Sequence, residues 1–306
     1  APERFQLITV EDKDPKVLWT QAAEPACRRW LKMLLDASDR WEIVHLNAEE
    51  VVNTYRQTLD NAVPSSLRRG RYSFSKRHIP YVYPTIKRKC YAGDPEKGCL
   101  KTCQKDKHSC MRNIVSFIAI PQRRVYQGVA RTLSYMTKQF YPSFNVVDLS
   151  KAPDLVRKRY ETMCDAPLPK FRCICCQKPL TALTMVSKDA GQAYEVLPDH
   201  LIKTCLEELG KHSGRQIEPN RYYTVCHGSK ARVTQKGSIV GSFGDRNVFK
   251  DITAIAAAQA LVSLKTYQLG DTFVRQRTGI PIGGPVSGEI LQLVLAYLEH
   301  RFVSSL

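Results

Sequence analysis

Gln276-Arg277-Thr278-Gly279-Ile280-Pro281-Ile282-Gly283-Gly284-Pro285-Val286-Ser287 is the most specific string in the chain. A rigid Gly/Pro turn leads into a helical pattern from Glu289 to Phe302. Gly283 and Gly284 let a backbone approach a ligand closely, because neither carries a Cβ. Ser287 stands at a helix start. An ordinary strand–turn–helix corner would not need so particular a sequence.

Upstream lies Leu183-Thr184-Met185-Val186-Ser187-Lys188-Asp189-Ala190-Gly191-Gln192-Ala193-Tyr194. An apolar strand delivers one carboxylate, two small residues follow, and an aromatic stands five positions after the acid. Enzymes that join nucleotides with two magnesium ions need a carboxylate at a strand end, since hard cations take oxygen ligands. The residue at the fifth position packs under the incoming sugar. A ring there clashes with a 2′-hydroxyl, so Tyr194 favours deoxynucleotides. Alone, a strand-end Asp followed by a buried Tyr is commonplace in cores.

Together these strings resemble the reverse transcriptases. Gly279 to Ser287, preceded by Gln276, is similar to the family's turn-and-helix motif beside the nascent base pair. Asp189-Ala190-Gly191-Gln192-Ala193-Tyr194 is similar to its first catalytic motif. Pro84-Thr85-Ile86-Lys87-Arg88-Lys89 and Arg112-Asn113-Ile114-Val115-Ser116 resemble its two fingers strands. The four occur in the family's order between residues 84 and 302. The resemblance implies an α+β fold: right-hand polymerase fingers and a palm with an antiparallel sheet, after N-terminal helices. It implies that Lys87 (or Lys89) and Arg112 grip the triphosphate of a deoxynucleoside triphosphate. Asp189, helped by the carbonyl of Ala190, would bind Mg²⁺. Gln276, Gly283, Gly284 and Ser287 would shape the template–nucleotide pocket. The implied partners are an RNA template and a DNA primer or product. For a mobile-element protein the implied compartment is the nucleus.

The departures from the family are definite. Its third catalytic element carries paired aspartates, and this chain has no Asp-Asp and ends 19 residues past Ser287. One acid cannot hold two Mg²⁺ ions in working geometry. With no initiator Met and an end inside a helical pattern, the sequence reads as a fragment whose palm is incomplete. The fingers strands are separated by 24 residues between Lys87 and Arg112, longer than a plain hairpin. Two other functions stay open: a catalytically inactive derivative kept as a nucleic-acid-binding or structural subunit, and a zinc-knuckle binder whose similarity is accidental.

Composition supports a polyanion partner in each case. The chain has 306 residues, 46 Lys and Arg against 29 acids, and a net charge of +17. From Asn61 to Phe140 there are 17 Lys and Arg and three acids, with Tyr72, Phe74, Tyr81, Tyr83 and Tyr91 interleaved. Basic side chains neutralise phosphates and exposed rings stack on bases. At 43% hydrophobic the chain can bury a core. No run of about 18 apolar residues exists, which rules out a membrane-spanning helix.

The eleven cysteines are odd in number and follow no signal peptide, which argues against a secreted disulfide scaffold. Cys99, Cys103, His108 and Cys110 offer four ligands within twelve residues, enough for tetrahedral Zn²⁺. The same group reads equally as free thiols in a loop. Cys173-Ile174-Cys175-Cys176 reads as buried structural thiols before half a zinc site.

The remaining pattern gives a helical extension over 1–63, with a helical pattern from Lys16 to Leu35 that Pro25 kinks or divides into two helices, and a helix from Ala48 to Leu59. A basic fingers region follows over 64–142, with its Cys-rich insertion at 90–110. Within it Tyr81 to Ile86 is a strand, on an edge because of Pro84. Asn113 to Ile120 is a buried strand and Val125 to Phe140 a helix. A proline-marked linker covers 143–179. The palm covers 180–306: a strand from Leu180 to Ser187, a helix from Asp199 ended by Gly210, paired strands between Arg221 and Val240, and an Ala-rich helix from Ile252 to Leu264.

Overall fold

The computed structural model describes residues 6–10, 18–22, 30, 32, 34, 39–68, 74–86, 111–141, 154, 157, 193–215, 221–227, 233–235, 237 and 239–304. The expectations for Lys87, Asp189, Ala190, Cys99, Cys103, His108 and Cys110 lie outside them. So do those for residues 173–176, the strand over 180–187 and most of the 143–179 linker.

The N-terminal stretch corrects one expectation. Residues 16–35 do not form one helix: β2 (Leu18–Ala22) pairs antiparallel with β1 (Gln6–Val10). Leu18-Trp19-Thr20 has the aromatic and β-branched content of a strand, and a partner strand overrides a weak helical pattern. Trp30, Lys32 and Leu34 are helical, with Trp30 and Leu34 buried.

β3 (Trp41–Val44) precedes α1 (Ala48–Ala62). Asn47 caps α1: its side chain accepts from the Glu50 amide at 2.9 Å, and the Glu50 carboxylate accepts from the Asn47 amide at 2.8 Å. Val51, Val52, Tyr55 and Leu59 form the buried stripe, and the chain turns away at Val63-Pro64. β4 (Tyr81–Ile86) and β5 (Met111–Ser116) form an antiparallel pair, followed by α2 (Arg123–Phe140). Val125, Val129, Leu133 and Met136 line one face of α2 and are at most 2% exposed. Burying each contributes about 1.5–3 kcal/mol.

The short α3 (Ala193–Val196) leads into α4 (Asp199–Arg215). Gly210 does not end α4; it lies within it, where a Cβ would press on Ile255 at 3.1 Å. A second sheet has the order β7 (Val233–Thr234), β6 (Tyr222–Cys226), β9 (Arg246–Lys250), β8 (Gly241–Phe243), all antiparallel. α5 (Asp251–Ser263) is the hub of the helical layer. Its Ala254, Ala257 and Ala258 are buried, and side chains this small let α1, α2 and α4 all pack on it. β10 (Thr266–Leu269) and β11 (Thr272–Gln276) form a hairpin, and α6 (Ser287–Ser304) packs on α2 and α4.

The main sheet has the order β3-β11-β10-β4-β5. Its one parallel pair is β10 with β4. β4 is therefore interior rather than an edge, yet Pro84 is tolerated for the expected reason. β10 meets β4 only at Gln268 and Tyr81, so the proline lies beyond that pairing. This sheet carries the β4–β5 pair and delivers β11 to the Gly/Pro turn.

Candidate functional site

The turn after β11 is held by backbone from two distant parts of the chain. On one side it meets α3. The Ile280 amide donates to the Tyr194 carbonyl at 2.7 Å, the Gly279 amide to the Leu197 carbonyl at 2.9 Å, and the Thr278 hydroxyl to the Glu195 carbonyl at 3.1 Å. Gly279 has φ +78, and a Cβ there would run into the Tyr194 carbonyl oxygen. Only glycine satisfies both demands.

On the other side the turn meets β5. The Val115 amide donates to the Ile282 carbonyl at 2.8 Å, and Gly283, at φ +99, would bring a Cβ to 2.6 Å from the Val115 carbonyl. The turn is thus wedged between α3 and β5, and Arg112 lies three residues before Val115 on the same strand.

Two charged groups act on the Tyr194 phenol at this corner. Burial raises the Tyr194 phenol above its ordinary 10.0; Glu289 pushes it further up and Arg112 draws it down. Glu289, in the first turn of α6, is itself half-buried, and burial raises its carboxyl above 4.5 against an opposing hydrogen bond from its own backbone. Arg112 and Glu289 are thus both near enough to act electrostatically on the Tyr194 phenol.

Gln276 and Ser287 are each 2% exposed. The Gln276 amide donates to the Lys265 carbonyl at 2.9 Å, and the Ser287 amide to the Gly284 carbonyl at 3.3 Å. A Cβ on Gly284 would strike the Ser287 hydroxyl. Gln276 is buried where β11 enters the turn, and Ser287 where α6 leaves it. Their side-chain oxygens have no hydrogen-bond partner among the described residues.

Of the expected site residues, Arg112, Tyr194, Gly283, Gly284 and Ser287 come together here, with Gln276 closing the strand that enters the turn. Sequence reading missed Glu289, Thr278, Glu195 and Arg40, whose guanidinium binds the Glu195 carboxylate at 3.0 Å. Glu195 directly follows a singled-out tyrosine, which is a signal. Arg40 gives none, since its partner is 155 residues away. Cavities of about 420 Å³ open elsewhere, between α4 and α5 and at the ends of α2 and α6, and none of their lining residues belongs to this corner.

Among the described residues no group of three His, Cys, Asp or Glu comes together to hold a metal ion, and no helix is long and apolar enough to cross a membrane.

No protein-family model matches the sequence, and no curated protein matches it. Among solved structures the chain is similar to the telomerase of Candida albicans in complex with the TWJ fragment of telomeric RNA. The TM-score is 0.56 at 10% identity, over 98% of this chain and 42% of that chain. The likeness is one of fold: an α+β, polymerase-like arrangement spanning less than half the length of that neighbour.

Proposed function

We propose that this chain forms the fingers and the first part of the palm of an RNA-templated DNA polymerase. The observation that carries the reading is the wedged turn. Two motifs that resemble those of reverse transcriptases, at residues 112–116 and 279–287, meet at one corner through backbone hydrogen bonds, and Tyr194, the last residue of a third, is bonded to the same turn. Similarity of fold to a telomerase, over 98% of this chain, supports it.

On this reading the substrates are a deoxynucleoside triphosphate and a primer 3′-hydroxyl, paired to an RNA template. Arg112 binds phosphate as a fixed cation. Tyr194 packs beneath the sugar, where a ring leaves no room for a 2′-hydroxyl. Gly283 and Gly284 let the base pair approach the backbone. The basic stretch over 61–140 holds the nucleic-acid backbone electrostatically. Mg²⁺, when bound, would stabilise the attacking and leaving oxygens. Asp189 would supply one of its ligands; further carboxylates have to come from outside the motifs of this chain.

The test is primer extension by the full-length protein on an RNA template, beside Asp189→Ala. Extension by the wild type and none by the variant is expected. Equal extension by both would remove the assignment, and none by either would favour a nucleic-acid-binding subunit without chemistry. The fingers insertion gives a separate expectation. If Cys99, Cys103, His108 and Cys110 bind zinc, elemental analysis finds about one metal per chain, lost in Cys103→Ser. Metal-free native protein would leave the free-thiol reading.

A further inference from the structure

Three hydrogen bonds and one peptide bond close a ring beside α3, which carries Tyr194. The Arg277 amide donates to the Arg40 carbonyl at 2.6 Å. The Arg40 guanidinium donates to the Glu195 carboxylate at 3.0 Å. The Glu195 carbonyl accepts from the Thr278 hydroxyl at 3.1 Å, and Thr278 is bonded covalently to Arg277. The ring joins residues 40, 195 and 277–278, and Tyr194 lies one bond outside it, its carbonyl already held by Ile280.

Arg40 is itself well fixed. It directly precedes β3, whose Trp41 pairs with Gln276 and is 3% exposed. Arg277 is further clamped by Glu42, which accepts from it at 2.7 and 3.0 Å.

We propose that Arg40 is a positioning residue for sugar selection: through Glu195 it fixes α3, and with it the ring that meets the incoming sugar. The proposal rests on the polymerase reading and on the role given there to Tyr194.

An ion pair with side chains only 26% and 20% exposed is mostly shielded from water, so removing one partner also lowers stability. Placement is a different matter. Rejecting a 2′-hydroxyl depends on a ring held to within a fraction of an ångström, and a displacement of that order costs much of the discrimination. The two effects therefore separate in experiment.

The experiment measures the ratio of deoxynucleotide to ribonucleotide incorporation by the full-length protein. Glu195→Gln, which keeps the shape and removes the charge, and Arg40→Ala should each lower that ratio about tenfold when assayed well below the melting temperature of each variant. The charge swap Arg40→Glu with Glu195→Arg should recover most of it. In a Tyr194→Ala background, Arg40→Ala should add nothing further, because its effect passes through the missing ring. An unchanged ratio in Arg40→Ala and Glu195→Gln, with Asp189→Ala inactive, would overturn this proposal and leave the polymerase reading intact. Full loss additivity with Tyr194→Ala would also overturn it. Wild-type extension by Asp189→Ala would take down both.

Discussion

Gly279 and Gly283 set the tolerance of the corner at the level of single residues. Both have φ in the left-handed region, and each faces a backbone carbonyl that cannot move aside as a side chain could. Gly279→Ala and Gly283→Ala should each destabilise by about 1–3 kcal/mol from backbone strain alone, before any displacement of α3 or β5 is counted. Denaturant unfolding measures this; a loss within error of zero would mean that the turn adjusts freely. Glu289 gives a pH-dependent expectation. An acid whose folded-state pKa lies above its unfolded one favours the fold while protonated. That contribution is complete below about pH 4.5 and is lost as pH rises through the raised value. Glu289→Gln should therefore raise stability at neutral pH and change nothing in acid. Equal effects at both pH values would contradict it. The glycines were legible in the sequence because a string so rich in Gly and Pro has few uses. Arg40 was not, because an ion pair between distant segments leaves no local pattern.

Among the elements, α2 makes the tightest approach to the second sheet. A Cβ on Gly128 would stand 2.7 Å from the Phe249 ring, and Phe249 is fully buried. Gly128→Ala must push that ring off its place against α2, at a cost of about 1–3 kcal/mol. A thermal melt checks this, and Phe249→Leu in the same chain should recover part of the loss. The elements that sequence reading placed well are those with strong local codes: the capped α1, the stripe of α2 and the Ala-rich α5. The hairpins β8–β9 and β10–β11 escaped it. Each turns on a two-residue Gly-Asp pair, Gly244-Asp245 and Gly270-Asp271, between strands of three to five residues. Strands that short show too little alternation to stand out, although the Gly-Asp pairs themselves were a usable signal. Gly210 misled in the opposite sense, as a close contact with Ile255 explains it better than a helix end.

For the molecule as a whole, the charge of +17 makes salt the informative variable. Binding to single-stranded RNA should weaken steeply with ionic strength, with a log–log slope of about −4 if half a dozen cations meet phosphates. A slope near zero would separate the basic stretch from nucleic acid. The order of motifs along the chain was legible, and so was the α+β class. How the main sheet joins β3, β10 and β11 to the β4–β5 pair was not, because that order is fixed by pairings across more than 150 residues. One of its borders has a further consequence. Among the described residues β5 is the last strand, and a bare rim of amides and carbonyls invites a second copy of the chain to add a strand. Here Ile282 occupies the Val115 amide, so the corner also guards the rim. A variant that loosens it would be expected to self-associate, and turbidity could report the damage before any assay of chemistry did.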